Sequence, residues 1–226
     1  MAIPKTIGII MDGNRRWAKE NNLPSLEGHR RGYEKLKEVV DWCDKAGIKN
    51  LVVYGFSTEN WNRAKEEVDY LMDLFRTLLL NDAEEMKKKG ARMKIVGEKE
   101  RFSKDIQELM TKAEELTKDG DATLWLALSY GGRAEILEAA RKISKKQLKS
   151  EDITEETFAR ELWTDGMPDP EIILRTSGEQ RLSGFLPWQG VYSELFFTKT
   201  YWPAFSKEEF DAILKEYGER ERRFGK

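Results

Sequence analysis

The chain is poor in the residues that serve the commonest metal and thiol chemistries. Among 226 residues there is one cysteine and one histidine. A lone Cys43 excludes an internal disulfide and fits a reducing cytoplasm, and no C-x-x-C or H-E-x-x-H spacing offers a zinc frame. No G-x-x-x-x-G-K-[ST] is present, so the usual cradle for nucleoside triphosphates is missing. The net charge of −2 provides no general basic field for nucleic acid. No apolar run reaches 18 residues, and MAIPKTIG lacks the long apolar stretch of a signal peptide, so a cytosolic chain is expected.

What is present is 39% hydrophobic and 35% charged residues, enough for one sizeable core beneath heavily solvated helices. With no internal repeat and no low-complexity linker, residues 1–226 are expected to form a single domain. Short β-branched runs alternate with amphipathic patterns, which predicts an α/β fold with a mainly parallel sheet. Six strands are expected at Thr6–Met11, Asn50–Phe56, Arg92–Gly97, Thr123–Ser129, Glu171–Arg175 and Glu194–Phe197. Helices are expected at His29–Ala46, Lys65–Lys89, Ser103–Lys118, Arg133–Lys145, Glu155–Trp163 and Lys207–Arg222, with Gly47 and Gly90 as stops. Ser144–Thr157 reads as a solvated connection. Cys43, on the apolar side of its helix, reads as an inert buried thiol. Val68, Leu71, Met72, Phe75, Leu78 and Leu79 form one stripe, which suits either a core face or the wall of an apolar cavity.

Chemistry collects after the strands. DGNRRW follows the first, STENWNR the second, YGGR the fourth and RTSGEQRLSG the fifth. In a parallel sheet these loops share one rim, outside the carboxyl ends of the strands, where open α/β sheets bind ligands. That rim would gather Arg15, Arg16, Arg63, Arg133, Arg175 and Arg181, with Asp12, Asn14, Ser57, Asn60, Ser177, Ser183 and Glu194 among them. Guanidinium groups keep their charge and match phosphate oxygens, and so many of them suit one or two diphosphates. A carboxylate such as Asp12 beside phosphate needs a hard cation between them, and Mg²⁺ takes one or two carboxylates plus phosphate oxygens. Each element also has a plainer reading. Asp12–Gly13–Asn14 suits an ordinary turn, a lone His29 suits a structural role, and single arginines are often merely solvated.

The segments MDGNRRWAK, GHRRG, YGFSTENWNR, YGGRAEI, PDPEIILRTSGEQRLSGFLPWQ, YSELFF and RERRFG, in this order along nearly the whole chain, resemble the cis-prenyltransferases, the undecaprenyl diphosphate synthase family. The D-D-x-x-D cluster of the unrelated trans-type prenyl synthases does not occur. The resemblance implies a six-stranded, mainly parallel sheet with a deep apolar tunnel, in a homodimer. It also implies Mg²⁺-dependent condensation of an allylic diphosphate, typically farnesyl diphosphate, with successive isopentenyl diphosphates, giving a long cis-polyprenyl diphosphate that serves as a glycosyl carrier lipid. The enzyme would be cytoplasmic, with peripheral contact at the inner face of the membrane for release of its product.

By the same resemblance Asp12, Asn14 and Asn60 are catalytic, and Asp12 with Glu194 holds the metal. Gly13, Asn14, Arg16 and His29 match the allylic-diphosphate side, and Arg15 and Trp17 are counted among the substrate-binding residues. Ser57, Glu59, Trp61 and Arg63 match a loop that closes over the substrates. Arg175, Arg181 and Ser183 match the isopentenyl-diphosphate side, and Arg220–Gly225 a segment reaching the partner subunit. The sequence departs from the pattern at Ser25, where an arginine is usual, and Arg15 is expected to replace part of that missing charge. Further departures are Gln180, Ser129, Gly184, Pro187, Trp125 and Ala122, the last two on the strand expected beside the tunnel. Two alternatives stand beside this reading: a non-catalytic partner subunit, against which the intact Asp12, Asn14 and Arg16 argue, and a nucleotide-dependent phosphoryl-transfer enzyme.

Overall fold

The run TIGII is buried at every position, as expected for a strand covered on both faces of a parallel sheet. The computed structural model describes residues 2–220. Six strands are present: β1 (Thr6–Ile10), β2 (Asn50–Ser57), β3 (Ala91–Val96), β4 (Ala122–Tyr130), β5 (Ile172–Arg175) and β6 (Glu194–Phe197). They form one sheet in the order β3-β4-β2-β1-β5-β6, and every pairing is parallel. The expected sheet was mainly parallel; the observed one is wholly so.

Around it lie α1 (Asn14–Glu20), α2 (Ser25–Ala46), α3 (Lys65–Thr77), α4 (Ala83–Lys88), α5 (Lys104–Leu116), α6 (Gly132–Lys146), α7 (Glu155–Ala159) and α8 (Lys207–Glu219). Strand alternation sends side chains to two covers. Leu51, Val53, Leu124, Leu126 and Leu128 join the larger core with α2, α3, α5 and α8. Val52, Trp125 and Ala127 join the smaller one with Tyr130, Ile173 and Phe185. The chain therefore builds one domain. Cys43 is buried in the larger core, and burial pushes its thiol up to about 12, as its helix position suggested.

Several helices differ from the sequence expectation, and α1 was not expected. α2 starts at Ser25, one turn before His29, because Pro24 provides an extended residue directly ahead of it. The expected single helix Lys65–Lys89 is broken by a π turn at Leu78–Asp82. An extra residue in one turn lets both Leu78 and Leu79 stay buried ahead of Ala83. Tyr33 Oη and Lys37 Nζ of α2 donate to Asp82 at 2.6 and 3.0 Å and fasten that turn. The helix expected at Glu155–Trp163 ends at Ala159, after which the chain turns to bury Leu162 and Thr164. Within the Ser144–Thr157 connection, α6 runs on to Lys146 and a 3-10 turn forms at Ser150–Asp152. α8 ends at Glu219, and Glu221–Gly225 of the segment expected to reach a partner lie outside the described residues. Among the described residues no helix is long and apolar enough to cross a membrane.

β1 has β2 on one side and β5 on the other, and Ile10 pairs with Arg175. The connection from β1 moves one way across the sheet and that from β5 moves the other. The carboxyl ends of β1 and β5 thus form a switch point, where a crevice opens.

Candidate active site

Asp12 stands at that crevice, two residues past β1. Its Oδ2 accepts from Arg175 Nη2 at 2.7 Å and its Oδ1 from Arg16 Nη2 at 3.1 Å. Burial alone would raise the Asp12 carboxyl, but the bond and charge of Arg175, then those of Arg16, outweigh it and hold the group below the ordinary range. The backbone is cross-braced: Asp12 N donates to Thr176 Oγ1 at 3.0 Å, and that hydroxyl donates to Asp12 O at 2.6 Å. Arg175 Nη1 donates to Ser183 Oγ at 2.8 Å and to Arg181 O at 2.5 Å, while its buried Nε has no partner. Arg16 also donates to Ser177 Oγ and to Glu179 Oε1. Asp12 therefore lies between arginines from the two sides that the sequence separated, Arg16 on one and Arg175 on the other.

Gly13 sits at φ +107°, and a β-carbon there would come within 2.7 Å of the Tyr201 ring. Only glycine serves this turn without strain. Asn14 opens α1 and rests on the glycines of GHRRG. A β-carbon on Gly28 would lie 2.1 Å from Asn14 O, and one on Gly32 would lie 2.5 Å from Asn14 Oδ1. Asn14 Oδ1 is buried without a partner at the edge of the cavity. The four-residue glycine spacing on one helix face was the signal for this close approach, and it went unread.

A second cluster forms on Glu67 in the first turn of α3. Its Oε1 lies 3.0 Å from His29 Nε2 and accepts from Arg63 Nη1 at 2.9 Å, and Arg15 Nη1 lies 3.6 Å from Oε2. Burial would raise the Glu67 carboxyl, but His29, Arg63 and Arg15 together hold it down. Burial lowers the His29 imidazole; Glu67 offsets part of that, and the charges of Arg63 and Arg15 add to the lowering. Sequence reading passed over Glu67 because a glutamate in a helix's first turn is ordinary.

The loop expected to close over substrate is built on a capping box. Asn60 Oδ1 accepts from Ser57 N at 3.0 Å, so Asn60 shapes a 3-10 turn at Thr58–Asn62. Ser57, Glu59, Asn60 and Arg63 line the cavity. Hydrogen bonds from the Glu59 amide and the hydroxyls of Ser57 and Thr58 outweigh burial and hold the Glu59 carboxyl low. Trp61 is placed otherwise. Its ring packs edge-on against Phe56 and Phe102, its Nε1 donates to Ser129 Oγ at 2.9 Å, and it anchors the loop rather than lining the cavity.

The cavity occupies about 1510 Å³. Its mouth carries Asp12, Gly13, Asn14, Arg15, Arg16 and His29, together with Ser25, Arg63, Arg133, Arg175 and Ser183. Its depth is lined by Leu71, Leu74, Phe75, Leu78, Leu126 and Leu128. The α3 stripe thus serves both expected uses, because Leu71, Phe75 and Leu78 line the cavity while Met72 and Leu79 pack in the core. Trp125, expected beside a tunnel, faces the smaller core on the other side of the sheet, as strand alternation requires, and donates to Asn50 Oδ1.

Besides Trp61, three expected site residues are not brought into the cavity. Trp17 does not line it. Arg181 is exposed and pairs with Glu179 at 2.5 Å. Glu194 pairs with Ile172 at the start of β6, three residues before the level of Arg175, or about 10 Å along the strand. There it accepts from Arg220 Nη1 at 2.6 Å. Within one chain, Glu194 and Asp12 cannot share a metal ion. Among the described residues no three His, Cys, Asp or Glu side chains are grouped to hold a metal.

The cavity of this all-parallel α/β protein thus joins arginines at the switch point to apolar side chains of α3 and β4, the features of a protein class with an anion-lined crevice beside an apolar wall. The family model for undecaprenyl diphosphate synthase matches residues 10–225, and the chain belongs to that family of prenyltransferases. It is 47% identical to the isoprenyl transferase of Thermotoga maritima, over 100% of this chain and 98% of that one. It is also 47% identical to the geranylgeranyl-diphosphate-specific tritrans,polycis-undecaprenyl-diphosphate synthase of Pyrococcus furiosus, over 99% of this chain and 88% of that one. The crystal structure of lavandulyl diphosphate synthase from Lavandula x intermedia, in complex with dimethylallyl diphosphate, superposes with a TM-score of 0.94 at 34% identity, covering 99% of each chain.

Proposed function

We propose that the chain extends an allylic diphosphate, with farnesyl diphosphate as primer, by successive isopentenyl diphosphates to a long cis-polyprenyl diphosphate used as a glycosyl carrier lipid. The observation that carries this reading is Asp12 held between Arg16 and Arg175 at the mouth of a cavity whose depth is apolar. In each cycle the allylic C1–O bond breaks and the diphosphate leaves with the electron pair. C4 of the isopentenyl unit bonds to C1, and a proton departs from C2 as the cis double bond forms.

In this reading Arg16, Asn14, Gly13 and His29 receive the allylic diphosphate, with Arg15 supplying charge near Ser25. Arg175 and Ser183 receive the isopentenyl diphosphate. Donors placed in advance stabilise the charge that develops on the leaving group without reorganising as the bond breaks. Deeper in the cavity, each buried CH₂ of the growing chain contributes about 0.8 kcal/mol. Asp12 is the predicted metal residue that fits Mg²⁺, since one hard carboxylate beside diphosphate oxygens suits that ion, whereas Glu194 of the same chain does not. When bound, Mg²⁺ would neutralise diphosphate charge and allow carboxylate and phosphate to approach.

A second primer is favoured by the Pyrococcus relative, whose name specifies geranylgeranyl diphosphate. Purified chain is to be incubated with Mg²⁺, labelled isopentenyl diphosphate and either primer, without ATP, and the extracted lipid analysed. Elongated product from farnesyl diphosphate at the higher rate is expected. Folded protein yielding no product with either primer would overturn the reading, and a preference for geranylgeranyl diphosphate would replace the primer. Strict dependence on a nucleoside triphosphate would favour phosphoryl transfer instead.

A further inference from the structure

Glu67 is a buried carboxylate beside the cavity to which the proposed reaction gives no part. It meets side chains from three other segments: Arg15 of α1, His29 of α2, and Arg63 of the loop before α3. Those three line the cavity, whereas Glu67 stands behind them. A negative charge there repels an arriving diphosphate, so on charge alone it weakens anion binding. Long arginine side chains lose rotamer freedom when a ligand orders them, and a partner that has already ordered them removes that cost from binding.

The hydrogen bond to His29 has a further consequence. An ionised carboxylate only accepts, so the imidazole must carry its proton on Nε2. A neutral ring held this way keeps Nδ1 as its acceptor. We infer that Glu67 is a positioning residue that holds Arg15, His29 and Arg63 in the arrangement receiving the allylic diphosphate, and that it fixes the His29 tautomer. The inference rests on the diphosphate reading of the site.

Because His29 is the sole histidine, its ring gives unambiguous NMR signals. The charged groups facing it are Glu67, Arg63 and Arg15, so its titration reports this cluster. The test compares wild type with Glu67→Gln, which keeps the size and loses the charge. Inorganic diphosphate binding is measured by calorimetry, and the His29 tautomer and titration by nitrogen-15 NMR. Wild type is expected to show the Nε2–H tautomer at neutral pH. In Glu67→Gln the His29 midpoint should move to lower pH, and the Kd for inorganic diphosphate should rise about tenfold although a negative charge has been removed.

Equal or tighter diphosphate binding by Glu67→Gln would overturn the inference, as it would make Glu67 a plain electrostatic competitor. An Nδ1–H tautomer in wild type would overturn it without recourse to any variant. Neither readout needs turnover. Wild type that fails to bind inorganic diphosphate would overturn the diphosphate reading itself, and this inference with it.

Discussion

Asp12 is held by two arginines in unequal surroundings: the Arg175 side chain is 6% exposed and that of Arg16 is 43% exposed. Asp12→Asn leaves Arg175 without its counter-charge in the interior, so a loss of about 2 kcal/mol is expected, below a fully buried pair because Asp12 is itself partly exposed. Turnover should fall roughly a hundredfold or more while the fold persists, as a melting curve beside a product assay will show. Near-normal turnover would remove Asp12 from the chemistry. Arg15→Gly tests whether Arg15 replaces charge missing at Ser25, both of which line the cavity. The KM for the allylic diphosphate should rise about fivefold or more, and an unchanged KM would end that reading. The sign for His29 follows from its lowered folded value. Its contribution to stability is fully present above the ordinary 6.5 and is lost as pH falls toward the folded value. Melting temperatures should therefore drop between neutrality and pH values below 6.5 in wild type, and less steeply in His29→Gln.

At the scale of elements, the contact of α1 with α2 places the Asp12–Asn14 turn. Gly28→Ala drives a methyl into the Asn14 backbone, so a cost of about 1–3 kcal/mol is expected together with a raised KM for the allylic substrate. An unaltered KM would show that the turn keeps its place without this packing. The π turn positions Leu78, which with Leu36 lines both the main cavity and a smaller void of about 50 Å³ toward β3 and α4. Leu78→Ala opens the partition at about 2–3 kcal/mol in stability. Mass spectrometry of the products should then show longer chains, and an unchanged length would place the limiting wall elsewhere. The apolar stripe of this helix was legible in the sequence, but its break was not. Periodicity identifies an apolar face, whereas a π turn arises from fastening at Asp82 by side chains of another helix.

At the scale of the whole molecule, β6 is an edge strand that exposes Leu195, next to exposed Val191 and Tyr192. An apolar edge of this kind is commonly covered by another chain. We propose that the homodimer implied by the family resemblance forms through that edge. Val191→Asp combined with Leu195→Asp should shift the sedimentation mass from dimer to monomer, and an unaltered dimer would place the interface on another face. The division of the cavity is also a property of the whole molecule. Its charged mouth comes from loops spread from Asp12 to Ser183, and its apolar depth comes from α3 and β4.

The sequence by itself determined the sheet, the loops at its carboxyl rim and the cations they carry. Strand burial and rim composition are written in local pattern, and parallel topology then places all those loops on one side. Tertiary structure decided which of the residues meet. It joined Asp12 to Arg175 across 163 positions and packed Trp61 against the core. It also left Glu194 three residues short of the rim. Register, close helix approach and side-chain pairing depend on partners distant in sequence, so no local pattern encodes them. For the same reason Glu67, an ordinary glutamate in the sequence, became the centre of a buried cluster only when α1, α2 and α3 came together.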